Sequence, residues 1–325
     1  MSLRHIAIPS WYTGKLPVFP SYELATRVQS KLQQDLLAWK ASSANPHDEH
    51  GHKPRRQDAP PPYLLSFTPA PTYTLGRRQT EPLPPDELAR LRAPLSIGIV
   101  KSPNKKERRK IKYSFGFNPE VLHVPRGGLT TYHGPGQVVL WPVIDLRSPL
   151  HENFTVRDYV CLLEKTTIAT LKRVYDIEGF TTSDPGVWVR NRTEGEGEKK
   201  IAALGVHLRR HVTGLGVAIN FGTRVTGPEY LNPWARIVAC GLGDKGVTTV
   251  KKHLGTYACS WKHKEMSEDI ASTWATEFAT RLKVGNSTSS ETLPLVSQDK
   301  WERWEEILQI DRASEGFVTA EEQYS

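Results

Sequence analysis

Between Arg126 and Gln137 the chain reads Arg-Gly-Gly-Leu-Thr-Thr-Tyr-His-Gly-Pro-Gly-Gln, and the next residues, Val138 to Leu146, are nearly all apolar. Four glycines and a proline in twelve residues cannot propagate a helix or a regular strand, and glycine lets backbone come close to a ligand. The valine-rich run behind them predicts a buried strand. A glycine loop at the lip of a buried strand, carrying Arg126, Thr130, Thr131, Tyr132 and His133, is the layout of a site made from backbone amides and a few polar side chains. A hairpin with a polar tip is the plain alternative that the pattern leaves open.

The flanking segments predict a frame for such a site. Arg4 to Pro9 reads as a short strand, and Pro17 to Ser21 leads into a helix over Tyr22 to Lys40, where Leu24, Val28, Leu32, Leu36 and Trp39 recur at helical spacing. Residues 41 to 61 carry no periodicity and read as a flexible insert; their histidines look like a metal tract but sit in a polar, loop-like composition. Tyr63 to Phe67 predicts a strand and Pro71 to Arg78 a turn. Val156, Val160, Leu163, Leu171 and Val174 mark the expected buried side of a helix ending near Tyr175. Cys161 lies off that stripe and receives no role. Ile270, Trp274, Phe278 and Leu282 predict a further helix over Glu265 to Leu282.

Three more runs, Val187 to Val189, Lys200 to Leu208 and Thr213 to Asn220, are joined by short polar turns and predict an antiparallel meander. Lys200 stands where a charged loop becomes an apolar strand, and on the strand pattern alone it is a surface lysine whose stem snorkels. Cys240 sits between a short apolar run and the glycine-rich turn Gly241-Leu242-Gly243. A lone cysteine is usually a small buried hydrophobe, but on a glycine loop its thiol is more accessible, and the thiolate is the nucleophile.

The order strand, helix, strands, helix, strands, helix predicts an α+β domain: a mixed, largely antiparallel sheet flanked by helices. The expected division is a catalytic domain over residues 1–283 and a tail over 284–325, with one short helix from Trp301 to Ile310. The 325 residues, 38% hydrophobic and 24% charged, suffice for a substantial core. No apolar run is long enough to span a bilayer. Three cysteines without CxxC spacing form neither a disulfide framework nor a structural zinc site, which indicates a reducing compartment.

The formal charge of +8 favours an acidic partner. Much of it lies in Lys101 to Lys112, by default a solvated flexible insert. Docking of an acidic carrier and binding of a nucleic-acid backbone are its two functional readings. Aromatics do not interleave its charges and there is no nucleic-acid motif, so the carrier reading is preferred. The first sixteen residues have Arg4 and Lys15 and no acid before Glu23. That pattern resembles a mitochondrial presequence, although Arg4 to Pro9 also reads as a strand.

The loop Arg126 to Gln137 closely resembles the signature of the lipoyl(octanoyl) transferases. The same family order continues with Lys200-Ile201-Ala202-Ala203-Leu204-Gly205, then Gly216-Val217-Ala218-Ile219-Asn220, then Cys240-Gly241 with Val247-Thr248-Thr249. The resemblance covers most of Arg4 to Val250. It implies a biotin/lipoyl protein ligase-like fold and transfer of an octanoyl group from octanoyl-acyl carrier protein to a lipoyl-domain lysine, the first step of lipoate biosynthesis. The implied acceptors are lipoyl domains of 2-oxoacid dehydrogenase complexes or the glycine cleavage H protein, with no cofactor, nucleic acid or membrane involved. Lipoylation in a eukaryotic member is mitochondrial.

By resemblance Cys240 is the acyl-accepting nucleophile and Lys200 the residue that lowers its pKa. Arg126, Gly127, Gly128, Leu129, Thr130, Thr131, Tyr132 and His133 would line the octanoyl pocket with Ala203, Leu204, Gly205, Gly216, Val217 and Ala218; Arg77 is a further possibility for its floor. The chain departs from the pattern at Ala239, where many members have proline, at Leu215-Gly216, where many have His-Gly, and in extra residues around Arg224 to Asn232. The competing class is an ATP-dependent lipoate or biotin-type ligase, which would not need Cys240.

Overall fold

The computed structural model describes residues 2–13, 16–44, 59–101, 111–190, 197–237, 246–254, 263–284 and 316–322. In chain order these form β1 (Arg4–Ala7), β2 (Trp11–Thr13), β3 (Leu16–Pro20), α1 (Tyr22–Ala44), β4 (Tyr63–Phe67), β5 (Thr72–Leu75) and α2 (Pro85–Arg92). They continue with β6 (Leu95–Lys101), β7 (Ile111–Phe117), β8 (Glu120–His123), β9 (Thr131–His133), β10 (Gln137–Val143) and α3 (Val156–Tyr175). The rest are β11 (Gly179–Phe180), β12 (Val187–Arg190), β13 (Glu198–Arg209), β14 (Val212–Asn220), α4 (Val250–His253), α5 (His263–Leu282), β15 (Phe317–Thr319) and β16 (Glu321–Glu322).

Seven strands make the main sheet in the order β1-β4-β10-β14-β13-β12-β11. β1 runs parallel to β4 and the other neighbours are antiparallel, so the expected mixed, largely antiparallel α+β architecture is the observed one. β10 lies centrally and all seven of its residues are buried, as its apolar run requires. The meander is β12, β13 and β14. The segment Arg4 to Ala7 is a sheet strand.

One helix covers one face and two cover the other. Val28, Leu32 and Leu36 of α1 pack with Val139, Trp141 and Val143 of β10. On the opposite face α3 and α5 pack together over Leu140, Val217 and Ile219. The four residues expected to be buried on α5, Ile270, Trp274, Phe278 and Leu282, are at most 1% exposed, and burial of such side chains is worth roughly 1.5–3 kcal/mol each.

The buried side of α3 differs from the expectation. Val156 is 51% exposed, while Tyr159, Leu162, Leu163, Thr166, Thr167, Thr170 and Leu171 face the core. Threonine works there because Thr166, Thr167 and Thr170 turn their hydroxyls back onto Leu162, Leu163 and Thr166 carbonyls, leaving a methyl for the core. Thr155 and Asp158 close a capping box at the N-terminus of α3, which fixes its start.

Other expectations need correction. Pro71 to Arg78 is not wholly a turn: Thr72 to Leu75, alternately β-branched and large, forms β5 between β8 and β9. The first four residues of the insert read from residue 41 are helical, since α1 continues through Ala44; residues 45–58 lie outside the described residues. Ile111 to Phe117 pairs with β6, and the basic residues between these strands, 102–110, lie outside the described residues. The described part of the tail is extended: β15 pairs with β3 and β16 with β7, and Phe317 packs on Trp11 with ring centroids 4.4 Å apart. The short helix expected at Trp301 to Ile310 lies outside the described residues. Cys161 is half-buried on α3. Among the described residues no helix is long and apolar enough to cross a membrane.

Candidate active site

The glycine loop is fastened by Arg126, whose side chain is almost fully buried. Its guanidinium donates to the Thr74 carbonyl at 2.6 Å, to Thr74 Oγ1 at 2.8 Å, to the Gly127 carbonyl at 3.0 Å and to the Leu129 carbonyl at 2.7 Å. The carbonyls of the loop thus fold around a cation instead of facing water. Gly205 of β13 permits this, because a Cβ there would stand 2.8 Å from Arg126 Cδ. Behind the loop, Gln137 donates to Asn220 Oδ1 at 2.9 Å and to the Tyr132 carbonyl at 3.3 Å, which ties β9, β10 and β14 together.

Between the loop and the α1 face of the sheet lies a cleft of about 390 Å³, part of it open to solvent. Arg126, Thr131, His133, Ala203, Leu204, Gly205, Gly216, Val217 and Ala218 line it, all expected from the sequence, together with Tyr22, Trp141 and Leu215. The trough follows from the ladder between β13 and β14, where Ala203 pairs with Ala218 and Gly205 with Gly216. Two rows of small residues facing each other leave room for a ligand. Leu215 adopts φ 61°, and its N–H is held by Gln29 Oε1 of α1 at 3.1 Å.

Not every expected lining residue reaches the cleft. Tyr132 alternates away from Thr131 and His133 along β9 and packs on Tyr73 and Trp234, with ring centroids 5.3 and 5.8 Å away. Gly127, Gly128, Leu129 and Thr130 are not on its wall; Gly127 and Leu129 act through the carbonyls that hold Arg126. Arg77 is exposed and donates its backbone N–H to the Arg126 carbonyl of the loop at 2.9 Å. Tyr22 and Trp141 were missed in the sequence, although Trp141 shares the period-two face of Val139 and Val143.

The cleft is neutral apart from Arg126. Burial, assisted by the Arg126 charge, pushes His133 down to about 3, and burial raises the Tyr22 hydroxyl. Thr131 Oγ1 and His133 Nδ1 are buried and have no hydrogen-bond partner among the described residues.

Lys200 is buried, at 6% exposure, and not the surface lysine that the strand pattern predicts. The cause is a β-bulge. Val187 pairs with Ala202 and Trp188 with Lys200, so Ile201 is the extra residue, and both Ile201 and Ala202 enter the core under α3 and α5. The extra residue rephases the strand: Lys200 falls on the same side as Ala203, which lines the cleft. Its ammonium donates to the Pro185 carbonyl at 3.0 Å and lies 4.7 Å from the Trp188 ring centre, a favourable cation–π distance.

Cys240 lies outside the described residues, but both approaches to it are defined. Upstream, Pro233–Arg236 forms a single 3₁₀ turn capped by Asn232, and the buried Arg236 guanidinium donates to the carbonyls of Glu229, Leu91, Ala93 and Pro94. Downstream, Lys200 N–H donates to the Gly246 carbonyl at 3.0 Å, and Thr248 N–H to the Lys200 carbonyl at 3.0 Å. Gly246, six residues after Cys240, is therefore bonded to the backbone of Lys200 itself.

Residues 47–275 match the family model described as the lipoyl protein ligase A/B catalytic domain. The chain belongs to that family. Among its members, a probable octanoyltransferase of Schizosaccharomyces pombe is 33% identical over 250 residues, covering 77% of this chain and 87% of the relative. A mitochondrial octanoyl-[acyl-carrier-protein]:protein N-octanoyltransferase of Danio rerio is 31% identical over 254 residues, covering 78% and 86%. A mitochondrial octanoyltransferase of Saccharomyces cerevisiae is 33% identical over 200 residues, covering 59% of this chain and 53% of the relative.

Proposed function

We propose that this protein transfers an octanoyl group from octanoyl-acyl carrier protein to a lysine of lipoyl domains, through an octanoyl-Cys240 intermediate assisted by Lys200. The observation that carries the reading is the bulged strand β13. It buries the Lys200 ammonium against the Pro185 carbonyl and the Trp188 ring and bonds that residue's backbone to Gly246 and Thr248, which follow Cys240 closely in the chain. Relatives named octanoyltransferase support the same reaction.

A free thiol titrates at about 8.5, so at neutral pH a small fraction is thiolate; a nearby ammonium favours the charged form. The Cys240 thiolate attacks the thioester carbonyl carbon, and collapse of the adduct expels the carrier's thiolate, which takes a proton from the Lys200 ammonium. The octanoyl chain lies in the trough between Ala203 and Ala218. In the second half-reaction the acceptor amine attacks the same carbonyl carbon, its surplus proton passes to the neutral Lys200 amine, and the Cys240 thiolate leaves. The net change is one thioester and one amine converted to one amide and one thiol. Neither half requires ATP, because the thioester is already activated.

The acceptors in this reading are lipoyl domains of 2-oxoacid dehydrogenase complexes or the glycine cleavage H protein, and the setting is mitochondrial, in line with the names of two relatives. The experiment is transfer from octanoyl-carrier to an isolated lipoyl domain, followed by intact mass with and without ATP. Octanoylation without ATP is the expected result. Product formed only from free octanoate plus ATP would make the protein a ligase and overturn the proposal.

A further inference from the structure

Helix α3 sends one carboxylate to the turn that opens β12. Glu164 is 7% exposed, and its Oε1 accepts the Gly186 N–H at 3.0 Å. Gly186 adopts φ 133°, and a Cβ there would stand 2.7 Å from the Ala202 carbonyl and 3.2 Å from Lys200 Cε. The turn is thus pressed against the bulge and the lysine stem. One residue earlier, the Pro185 carbonyl receives the Lys200 ammonium.

We propose that Glu164 is a positioning residue for Lys200: it bolts the turn whose Pro185 carbonyl receives the ammonium, and its negative charge favours the protonated lysine. This inference rests on the reading that Lys200 serves Cys240. A buried carboxylate on an apolar helix face is costly unless it is paired or hydrogen-bonded, and here it has one backbone donor and one cation to answer to. Burial raises the Glu164 carboxyl, while the Gly186 amide and the Lys200 charge pull it back.

Other charges lie on the elements packed around this pair. They include Lys165 and Arg173 on α3, Asp184 in the same turn, Arg190 on β12, Glu198, Lys199 and Arg209 on β13, and Asp269, Glu277 and Arg281 on α5. Glu277 is engaged by Arg173 and Arg281, and Arg190 lies over Phe180. Among the described residues, Lys200 is the charge that bears on Glu164.

Two substitutions in the full-length protein separate charge from geometry. Glu164→Gln keeps an oxygen for the Gly186 N–H and removes the charge; Glu164→Asp keeps the charge and withdraws the oxygen. The measurement is kcat and kcat/KM for octanoyl-carrier across pH, with a thermal melt of each variant. An anion near an ammonium favours the protonated form, so Glu164→Gln should move the alkaline limb of kcat/KM to lower pH. Glu164→Asp should leave that limb in place and lower kcat on the order of tenfold, the usual scale for losing a charged hydrogen bond.

An unmoved limb in Glu164→Gln overturns the proposal, as does loss of rate in both variants that merely tracks loss of thermal stability. Glu164→Asp with wild-type kcat also overturns it. The wild-type acyl adduct is measured alongside. If Cys240 carries none, the thiol–ammonium reading has failed and takes Glu164 with it; an adduct present with an unmoved limb counts against Glu164 alone.

Discussion

Replacing Ala218 with leucine should shorten the acyl chain that the cleft accepts. Ala218 is 4% exposed, lines the cleft and faces Ala203 directly across the ladder, so a larger side chain projects into the trough. Leucine there displaces about three methylene groups of a bound chain, and at about 0.8 kcal/mol each the loss is about 2.4 kcal/mol. That corresponds to roughly 60-fold in kcat/KM for octanoyl-carrier. A butanoyl-carrier ends before the obstruction and should change by less than about threefold by the same reckoning. The assay is steady-state transfer to a lipoyl domain from butanoyl-, hexanoyl- and octanoyl-carriers, with a melt to register overpacking, which costs typically 1–3 kcal/mol. An equal fall for all three chains, or none for octanoyl, would refute the placement of the acyl chain between β13 and β14.

Acid should destabilise the fold through buried histidines. His133 is held down at about 3 and His5 at about 4 by burial, so both stay neutral in the folded state while the unfolded chain takes up protons below about 6.5. Their contribution is present above that value and is lost as pH falls toward the folded pKa values, by up to about 1.4 kcal/mol per unit for each. Urea titrations at pH 7, 6 and 5 should show the decline, and His5→Gln, which retains a partner for Ser66 Oγ, should make it shallower; equal slopes would contradict the assignment. On α3, Thr167 Oγ1 accepts the Trp274 indole N–H at 3.0 Å, so Thr167→Val should cost about 1–3 kcal/mol by stranding a buried donor. Thr166, whose hydroxyl among the described residues bonds back to Leu162, should tolerate valine to within about 0.5 kcal/mol; equal melting temperatures for the two variants would show that the indole bond is not the reason.

Apart from β11, the strands of the main sheet were legible, β10 and β14 as near-continuous apolar runs that are buried throughout, and so was the buried face of α5, from the near-four spacing of Ile270, Trp274, Phe278 and Leu282. The α3 face was misjudged for a chemical reason. Threonine counts as polar in a sequence, yet Thr166, Thr167 and Thr170 hide their hydroxyls in their own helix and pack as hydrophobes. β5 was read as a turn because Pro71 and Gly76 bracket it, although Thr72 to Leu75 has strand composition. Most of the cleft wall was readable from Arg126, the small residues and the family motifs, whereas Tyr22 and Trp141 join it only through the sheet's register.

Burial of Lys200 had no local signal. It arises from one extra residue, Ile201, and a bulge is visible only in the pairing of β12 with β13. Glu164 was not singled out in the sequence either, because its contact with the Gly186 turn exists only once α3 is laid across that turn. The C-terminal strands were equally hidden, since β15 and β16 gain their form from pairing with β3 and β7, far away in sequence.

The most direct test of the account is the intact mass of the protein after incubation with octanoyl-carrier and no acceptor, followed by peptide mapping. One octanoyl group on Cys240, absent from Cys240→Ala, is the predicted result. A wild-type protein that stays unmodified while transfer proceeds, or an adduct that persists in Cys240→Ala, would contradict it.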